Sequence, residues 1–332
     1  MKNALFIIPY FGTLPNTMPV FLQTCRYNPD FDWLIVTDDR TEYEYPGNVH
    51  VQYSSFENFA ARVQSCFDFP TALRYPYKIC DFRAAFGVIF AEECKEYRFW
   101  GHCDLDQYFG KINHFITEEI LDSYDKILCL GHFTLFRNTE RINKLFMITD
   151  KKRDQSYRDV FADEKHWIYD EWPTDGRSCV NRIVKQEGVP VYYCHDCFCD
   201  LIPFVSRYQR YIFDEKREDW DIEPVKNMIF VWEKGCLYAC HKEDGQLIKR
   251  EMLYVHIRQR KMDIVAYDEQ KNVLYIIPNR IISDNTATDS VIEGHIARTW
   301  RRSLRYPDEV ARKIVILKGY WNAVKRRIQK HI

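Results

Sequence analysis

Asp104 and Asp106, separated by Leu105 where the apolar run Phe99-Trp100-Gly101-His102-Cys103 stops, are the residues whose type and spacing point most directly to chemistry. Carboxylate oxygens are hard ligands suited to Mg²⁺ or Mn²⁺. An ion held by two of them, with positions left open, can clamp a diphosphate and neutralise it as it departs. Acidic residues ending a strand are more often solvated turn formers, so the pair needs support from elsewhere. Far downstream, Leu253-Tyr254-Val255 reads as a short strand running into His256, and Arg258, Gln259, Arg260 and Lys261 follow. An isolated histidine is more often structural, but an imidazole beside a cluster of cations suits a metal and pyrophosphate site.

These residues need elements to hold them. Tyr75-Pro76-Tyr77-Lys78 opens a predicted helix, with Ile79, Phe82, Phe86 and Ile89 at steps of three and four and Pro76 suited to the first turn. The order is then helix, strand, Asp-x-Asp. Strand-like runs near residues 4–9, 33–37, 98–103, 126–130 and 189–194 alternate with helix-like stretches near 17–26, 56–67, 78–94, 114–123 and 176–187. Such alternation predicts an α/β fold with a mainly parallel sheet covered by helices. Ligands then belong at the carboxyl ends of strands, where Pro9 to Gly12, Asp38-Asp39 and Asp104 to Asp106 fall. Beyond Trp220, Met228–Trp232 and Cys236–Cys240 read as a β-hairpin around Glu233-Lys234-Gly235, with a further turn at Lys242 to Gly245. A strand pair is expected at Asp263–Tyr267 and Val273–Pro278.

The combination resembles metal-dependent glycosyltransferases of the GT-A fold, especially bacterial capsular and surface-polysaccharide transferases. Leu5 to Gly12 is similar to the first strand and nucleotide-cradling loop of that group, and Trp33 to Asp39 to its second strand. The resemblance implies donor contacts for Pro9, Tyr10, Phe11, Asp38 and Asp104. It places Lys78, Asp81 and Arg83 in the helix beside the sugar nucleotide. Gly131 to Asn138 resembles the strand that passes the acceptor, and His256 takes the place of a late third metal ligand. What the resemblance implies is Mn²⁺ or Mg²⁺ held by Asp104, Asp106 and His256, with Lys78, Arg260 and Lys261 on the phosphates. The implied partners are a nucleotide-sugar, a UDP-sugar foremost, and a glycan or lipid-linked glycan acceptor. The related pattern sets Asp and Arg three apart, whereas Asp81 and Arg83 stand two apart and would diverge by about 200° on an ideal helix. A metal-dependent nucleotidyltransferase or phosphohydrolase, or a non-catalytic carbohydrate-binding protein of the same fold, are the alternative readings.

For the acceptor, Trp167-Ile168-Tyr169-Asp170-Glu171-Trp172 is the best segment. Sugar faces suit Trp172, sugar hydroxyls suit carboxylates, and an inverting transferase needs a carboxylate to take the acceptor proton. Asp170 or Glu171 is the candidate base, and two exposed acids beside a turn is the plain alternative. His132 and Asn138 are further candidates to line the acceptor groove.

Composition bounds the rest. With 332 residues, the chain exceeds a common single domain, and its 46% hydrophobic content supplies a core. The expected organisation is a GT-A catalytic domain over 1–265, its nucleotide half about 1–110 and its acceptor half about 111–265, then a strand pair and helical tail over 266–332. The 12 cysteines are scattered singly, which favours reduced core thiols over zinc, although Cys194-His195-Asp196-Cys197-Phe198-Cys199 offers soft ligands. No apolar run approaches the ~20 residues that span a bilayer, and a cytoplasmic protein that binds no nucleic acid is expected. His295 to Ile332 carries 11 Lys/Arg against 2 Asp/Glu, a local +9 in a chain of net −1. Val310, Ile314, Leu317, Trp321, Val324 and Ile328 make an apolar stripe there, so this helix is expected either to lie on an anionic membrane or to pack on protein.

Overall fold

The computed structural model describes residues 2–302 apart from 174, 203–206, 215, 216, 218 and 266. The chain divides into two compact units, Met1–His195 and Asp196–Ile332, a boundary well before the one near residue 265 expected from the sequence. It is a mixed α/β protein with several sheets of mixed strand direction.

The first unit holds β1 (Lys2–Pro9), β2 (Phe31–Thr37), β3 (Val49–Tyr53), β4 (Tyr97–Cys103), the short β5 (Gln107–Phe109), β6 (Lys126–Leu130), β7 (Phe133–Arg137) and β8 (Val191–Tyr192). Seven of these form one sheet in the order β3-β2-β1-β4-β7-β6-β8. The pairings of β3 with β2, β2 with β1, β1 with β4 and β6 with β8 are parallel, whereas β7 runs against both β4 and β6.

Alternation along the strands fills both faces. Leu5, Ile7, Leu34 and Val36 join Phe82, Phe86, Phe161 and Tyr169 in one buried cluster. On the other face Phe6 stacks on Trp33 at 5.5 Å and meets Phe133 edge-on at 5.1 Å, and Trp33 lies 5.6 Å from Phe109. The helix Met18–Arg26 covers that second face through Phe21, 5.9 Å from Phe109. Gly87 is required by packing, because a Cβ there would lie 2.4 Å from the buried ring of Trp100.

At the amino ends of the parallel strands, Asp32 is fully buried and tied to three neighbouring strands. It accepts from Lys2 Nζ at 2.6 Å and from the Tyr97 hydroxyl, and its Oδ2 lies 3.2 Å from His50 Nε2. This clamp leaves the opposite edge, at the carboxyl ends, to the loops that carry candidate site residues.

The second unit holds β9 (Phe198–Leu201), β10 (Tyr208–Asp214), β11 (Asp219–Val225), β12 (Ile229–Glu233), β13 (Cys236–Glu243), β14 (Gln246–Met252), β15 (Tyr254–His256), β16 (Asp263–Val265), β17 (Val273–Ile277) and β18 (Arg280–Asp284). β11, β10 and β9 are antiparallel, and β15 joins β9 in parallel. A six-stranded sheet follows in the order β14-β13-β12-β17-β18-β16. The helix Asp289–Arg302 sets Ile292 and Ile296 against Ile229, Val231 and Tyr275 of that sheet.

Several expectations need correcting. The sequence predicts one mainly parallel sheet with a small hairpin added, but the second unit supplies further, mostly antiparallel sheets. The hairpin forms as β12 and β13, closed by Lys234 and Gly235 at positive φ, and Asp244-Gly245 closes the next one in the same way. β16 does not pair with β17. It lies parallel to β18, which is turned from β17 by Pro278 and Asn279. All 12 cysteines are free and none is exposed. Among the described residues no helix is long and apolar enough to cross a membrane. The stripe from Val310 to Ile328 lies outside the described residues.

Candidate functional site

In the first unit, Arg83 gathers the site. The Tyr75 to Cys94 stretch forms as short helical pieces, and Arg83 begins a 3₁₀ turn immediately after the helix Ile79–Phe82. Its Nη2 donates to Asp104 Oδ1 at 2.6 Å, and its Nη1 donates to Asp170 Oδ2 at 3.1 Å and to the Gly131 carbonyl. Three loops distant in sequence therefore meet on one guanidinium.

Leu105 is buried, so Asp104 and Asp106 flank an anchored residue. The Asp104 carboxylate is partly exposed and its backbone N–H donates to Gln107 Oε1 at 3.1 Å. Tyr10, beyond β1, lies close by: burial raises its hydroxyl pKa, and the charges of Asp106, Asp104 and Asp39 raise it further. Pro9, Tyr10 and Phe11 are half-buried, and Phe11 is anchored edge-on against Phe56 at 5.5 Å. Asp38 accepts from Gly12 N–H at 2.7 Å and Asp39 from Leu14 N–H at 2.8 Å, which shapes the same loop. A cleft of about 360 Å³ beside it is lined by Asp38, Arg40, Tyr53, Ser54, Ser55 and Asn58.

Lys78 and Asp81 do not reach a ligand surface, contrary to the expected donor contacts. Both are fully buried. Lys78 Nζ spends its three donors on Asp81 Oδ2 at 2.9 Å, the Val160 carbonyl at 2.9 Å and the Lys165 carbonyl at 2.6 Å. Asp81 in turn accepts from the backbone N–H groups of Trp167 at 2.9 Å and Tyr169 at 3.0 Å. Between those two donors Ile168 sits at φ 58°, a left-handed conformation costly for a β-branched residue. The buried pair thus holds a strained segment whose next residue but one is Asp170, and such strain clusters at functional sites.

Asp170 is buried, and burial pushes its carboxyl up to about 8 against the pull of Arg83, with the Glu171 charge adding to the rise. Glu171 is exposed and packs on Gly131, where a Cβ would lie 2.0 Å from its Oε1. The Gly131 turn is aimed by a bulge in β6, where Leu128 takes φ 57° and the buried Lys126 bonds its carbonyl. Burial lowers Lys126 to about 8, and it also holds the neighbouring His102 well into the neutral range, together with the charges of Arg83 and Lys126. Trp172 is exposed, with Arg182 over its ring at 5.3 Å.

His132 is buried at the start of β7, beside the end of β4 that carries Asp104. Asn138 is not part of this edge. Because β7 runs antiparallel to β4, residue 138 emerges at the opposite edge, where its Nδ2 donates to the Cys94 carbonyl at 2.8 Å and the Tyr97 carbonyl at 3.1 Å.

In the second unit, His256 ends β15 and is buried, its Nδ1 3.2 Å from Asp200 Oδ1. Asp200 lies directly across the ladder on β9 and also accepts from Arg258 Nη1 at 3.1 Å. A histidine that donates one ring N–H to a carboxylate presents its other nitrogen as a lone pair, the arrangement of metal-binding imidazoles. Arg258 and Gln259 both take positive φ, at 53° and 55°. Arg260 is buried, bonding Asn279 Oδ1 at 2.6 Å and the Ile202 carbonyl at 3.1 Å, so its expected phosphate role gives way to a structural one. Lys261 is exposed.

The described residues therefore hold groupings of His and Asp that could bind a metal ion. Asp104 and Asp106 belong to such a grouping, and so do Asp200 and His256. Oxygen donors with one imidazole suit Mg²⁺ or Mn²⁺. Asp200 carried no signal in the sequence, because its partnership is a cross-strand pair 56 residues away. Tyr77, Lys126 and His102 were likewise silent.

The chain belongs to DUF6625, a family of unknown function whose model matches residues 6–285. No curated protein and no solved structure matches it.

Proposed function

We propose that this protein is a metal-dependent glycosyltransferase of GT-A type, moving a sugar from a nucleotide-sugar, a UDP-sugar foremost, to a glycan or lipid-linked glycan. The observation that carries this reading is Arg83 bonded to both Asp104 and Asp170, a carboxylate suited to a metal and a carboxyl suited to general-base work on one guanidinium. A base poised near neutral pH maximises proton transfer at the working pH. Support also comes from the first unit, where the carboxyl ends of β1, β2, β3 and β4 bring Tyr10, Asp38, the Tyr53 cleft and Asp104 to one edge of the sheet.

In this reading Asp104 and Asp106 ligate Mn²⁺ or Mg²⁺, and His256 is the third ligand that the sequence resemblance implies. When bound there, such an ion would supply charge neutralisation to the leaving nucleoside diphosphate. Asp170 takes the proton of the acceptor hydroxyl, Arg83 keeps that carboxyl close to Asp104, and the Lys78–Asp81 pair holds the segment in place. Lys261 remains the candidate phosphate contact of the late loop. With a protein base, transfer inverts the anomeric configuration.

The test is incubation with a panel of nucleotide-sugars with and without Mn²⁺. Mn²⁺-dependent release of nucleoside diphosphate, lost in Asp106→Asn, is expected. Release of pyrophosphate would mark a nucleotidyltransferase, and a retained anomeric configuration would remove Asp170 from the base role.

A further inference from the structure

Trp172 is expected from the sequence to meet a sugar face of the acceptor, and the transferase reading leaves the aromatic side chain of Tyr77 unassigned. The turn at Tyr75 to Tyr77 lies against the segment that carries Asp170. Tyr75 Oη donates to the Glu164 carbonyl at 3.3 Å, and the Tyr77 ring meets His166 edge-on at 4.8 Å. His166 Nε2 in turn stands 3.7 Å from Asp81, the residue that pins Trp167 and Tyr169. Tyr77 is 59% exposed, the most open large apolar side chain among the described residues, and Trp172 is 40% exposed.

Two further observations give this rim a chemistry. The Tyr77 hydroxyl pKa is raised by burial first and then by the charges of Cys80, Asp170 and Glu171, which puts the ring within electrostatic reach of both carboxyls. Arginines back the tryptophans, Arg182 over Trp172 at 5.3 Å and Arg177 over Trp167 at 5.1 Å. A guanidinium on one face of a ring stiffens it and leaves the other face for a ligand. An apolar protein surface docked here would bring no hydrogen-bond donor to the exposed Glu171 carboxylate while removing its water, a costly arrangement. A pyranose offers both requirements at once: an axial C–H face for the aromatic rings and hydroxyl donors for the carboxylates.

We infer that Tyr77 and Trp172 form a stacking platform, on the flank of Asp170, for the pyranose ring of the acceptor. This rests on the transferase reading and names the acceptor subsite of the same site. Tyr77 contributes a rigid face at small entropic cost, as aromatic side chains do in other recognition surfaces.

The experiment is saturation-transfer NMR of the full chain with methyl β-glucopyranoside, methyl β-galactopyranoside and methyl N-acetyl-β-glucosaminide, each titrated for its Kd. At least one should receive saturation on its ring protons. Tyr77→Ala and Trp172→Ala should each weaken that binding about tenfold, the ~1.4 kcal/mol of an aromatic contact, while Tyr77→Phe, which keeps the ring, should bind as wild type does. Both side chains are exposed, so the variants should fold, and circular dichroism checks this. No saturation transfer to any pyranoside, or equal affinity in wild type and both alanine variants, overturns the platform. A donor-dependent thermal shift of the wild-type protein is read in parallel. A donor shift without a pyranoside response sinks the platform alone, and a pyranoside response without a donor shift sinks the transferase reading alone.

Discussion

Arg83 Nη1 stands 3.1 Å from Asp170 Oδ2, yet burial drives that carboxyl up to about 8. Desolvation of a buried carboxylate outweighs its attraction to a neighbouring cation when that cation is shared, and here Arg83 also serves Asp104 and the Gly131 carbonyl.

The pH dependence of transfer follows from this balance. If Asp170 is the base of the proposed transfer it works only when ionised, so kcat/KM should rise with pH through about 8. Arg83 favours the ionised form and Glu171 opposes it. Arg83→Met should therefore move the rising limb to higher pH, and Glu171→Gln to lower pH. A limb that stays in place in both variants would separate Asp170 from the chemistry.

The same group sets a slope in stability. Its folded pKa lies above the ordinary carboxyl value of 3.8, so between about 4 and 8 the folded protein keeps a proton that the unfolded chain releases. That contribution to stability is present below the unfolded pKa and is lost as pH rises towards about 8. Urea unfolding of Asp170→Asn at pH 5 and pH 8 should show the variant gaining on wild type at the higher pH. A constant difference would contradict the raised pKa.

Metal dependence can be read without turnover. Saturation of wild type with Mn²⁺ and a nucleotide-sugar at 100 times Kd should stabilise it by ~2.7 kcal/mol. Asp106→Asn and His256→Ala should each remove the Mn²⁺-dependent part, and Asp200→Asn should weaken it ~10-fold or more in metal affinity through loss of the His256 partner. Unchanged metal response in both Asp106→Asn and His256→Ala would end the assignment.

Lys78 tests the support of the site. Lys78→Met leaves Asp81 buried with its charge unpaired and two carbonyls without their donor, which should cost about 3–5 kcal/mol in denaturant unfolding. A loss below 1 kcal/mol would mean that the pair is solvated.

Asp32 offers a control at the far edge of the same sheet. Asp32→Ala leaves the part-exposed Lys2 and the Tyr97 hydroxyl without their acceptor and should destabilise by about 1–3 kcal/mol, with donor affinity unaltered in calorimetry because no candidate site residue touches it. A change in affinity greater than in stability would show that the two edges are coupled.

Local features were legible in the sequence. The turns at Lys234-Gly235 and Asp244-Gly245 follow from backbone conformations that glycine favours, and the hairpins they close were readable before any fold was known. The strand and turn that bear Asp104 and Asp106 were equally local. Strand direction was not, since alternation of apolar residues is the same in either sense. Asn138 was therefore expected beside the acceptor, whereas antiparallel β7 carries it to the opposite edge.

Residue type and spacing by themselves determined which groups are able to do chemistry: the Asp104 and Asp106 pair, Asp170, Glu171 and His256. Only the tertiary structure decided what each was free to do. Lys78 looks like a phosphate ligand until carbonyls 82 and 87 residues away take its protons. Asp170 looks like an ordinary surface acid until burial beside Arg83 pushes its carboxyl up to about 8. Burial, charge neighbours and strand direction are set by contacts between distant segments, and no local pattern encodes them.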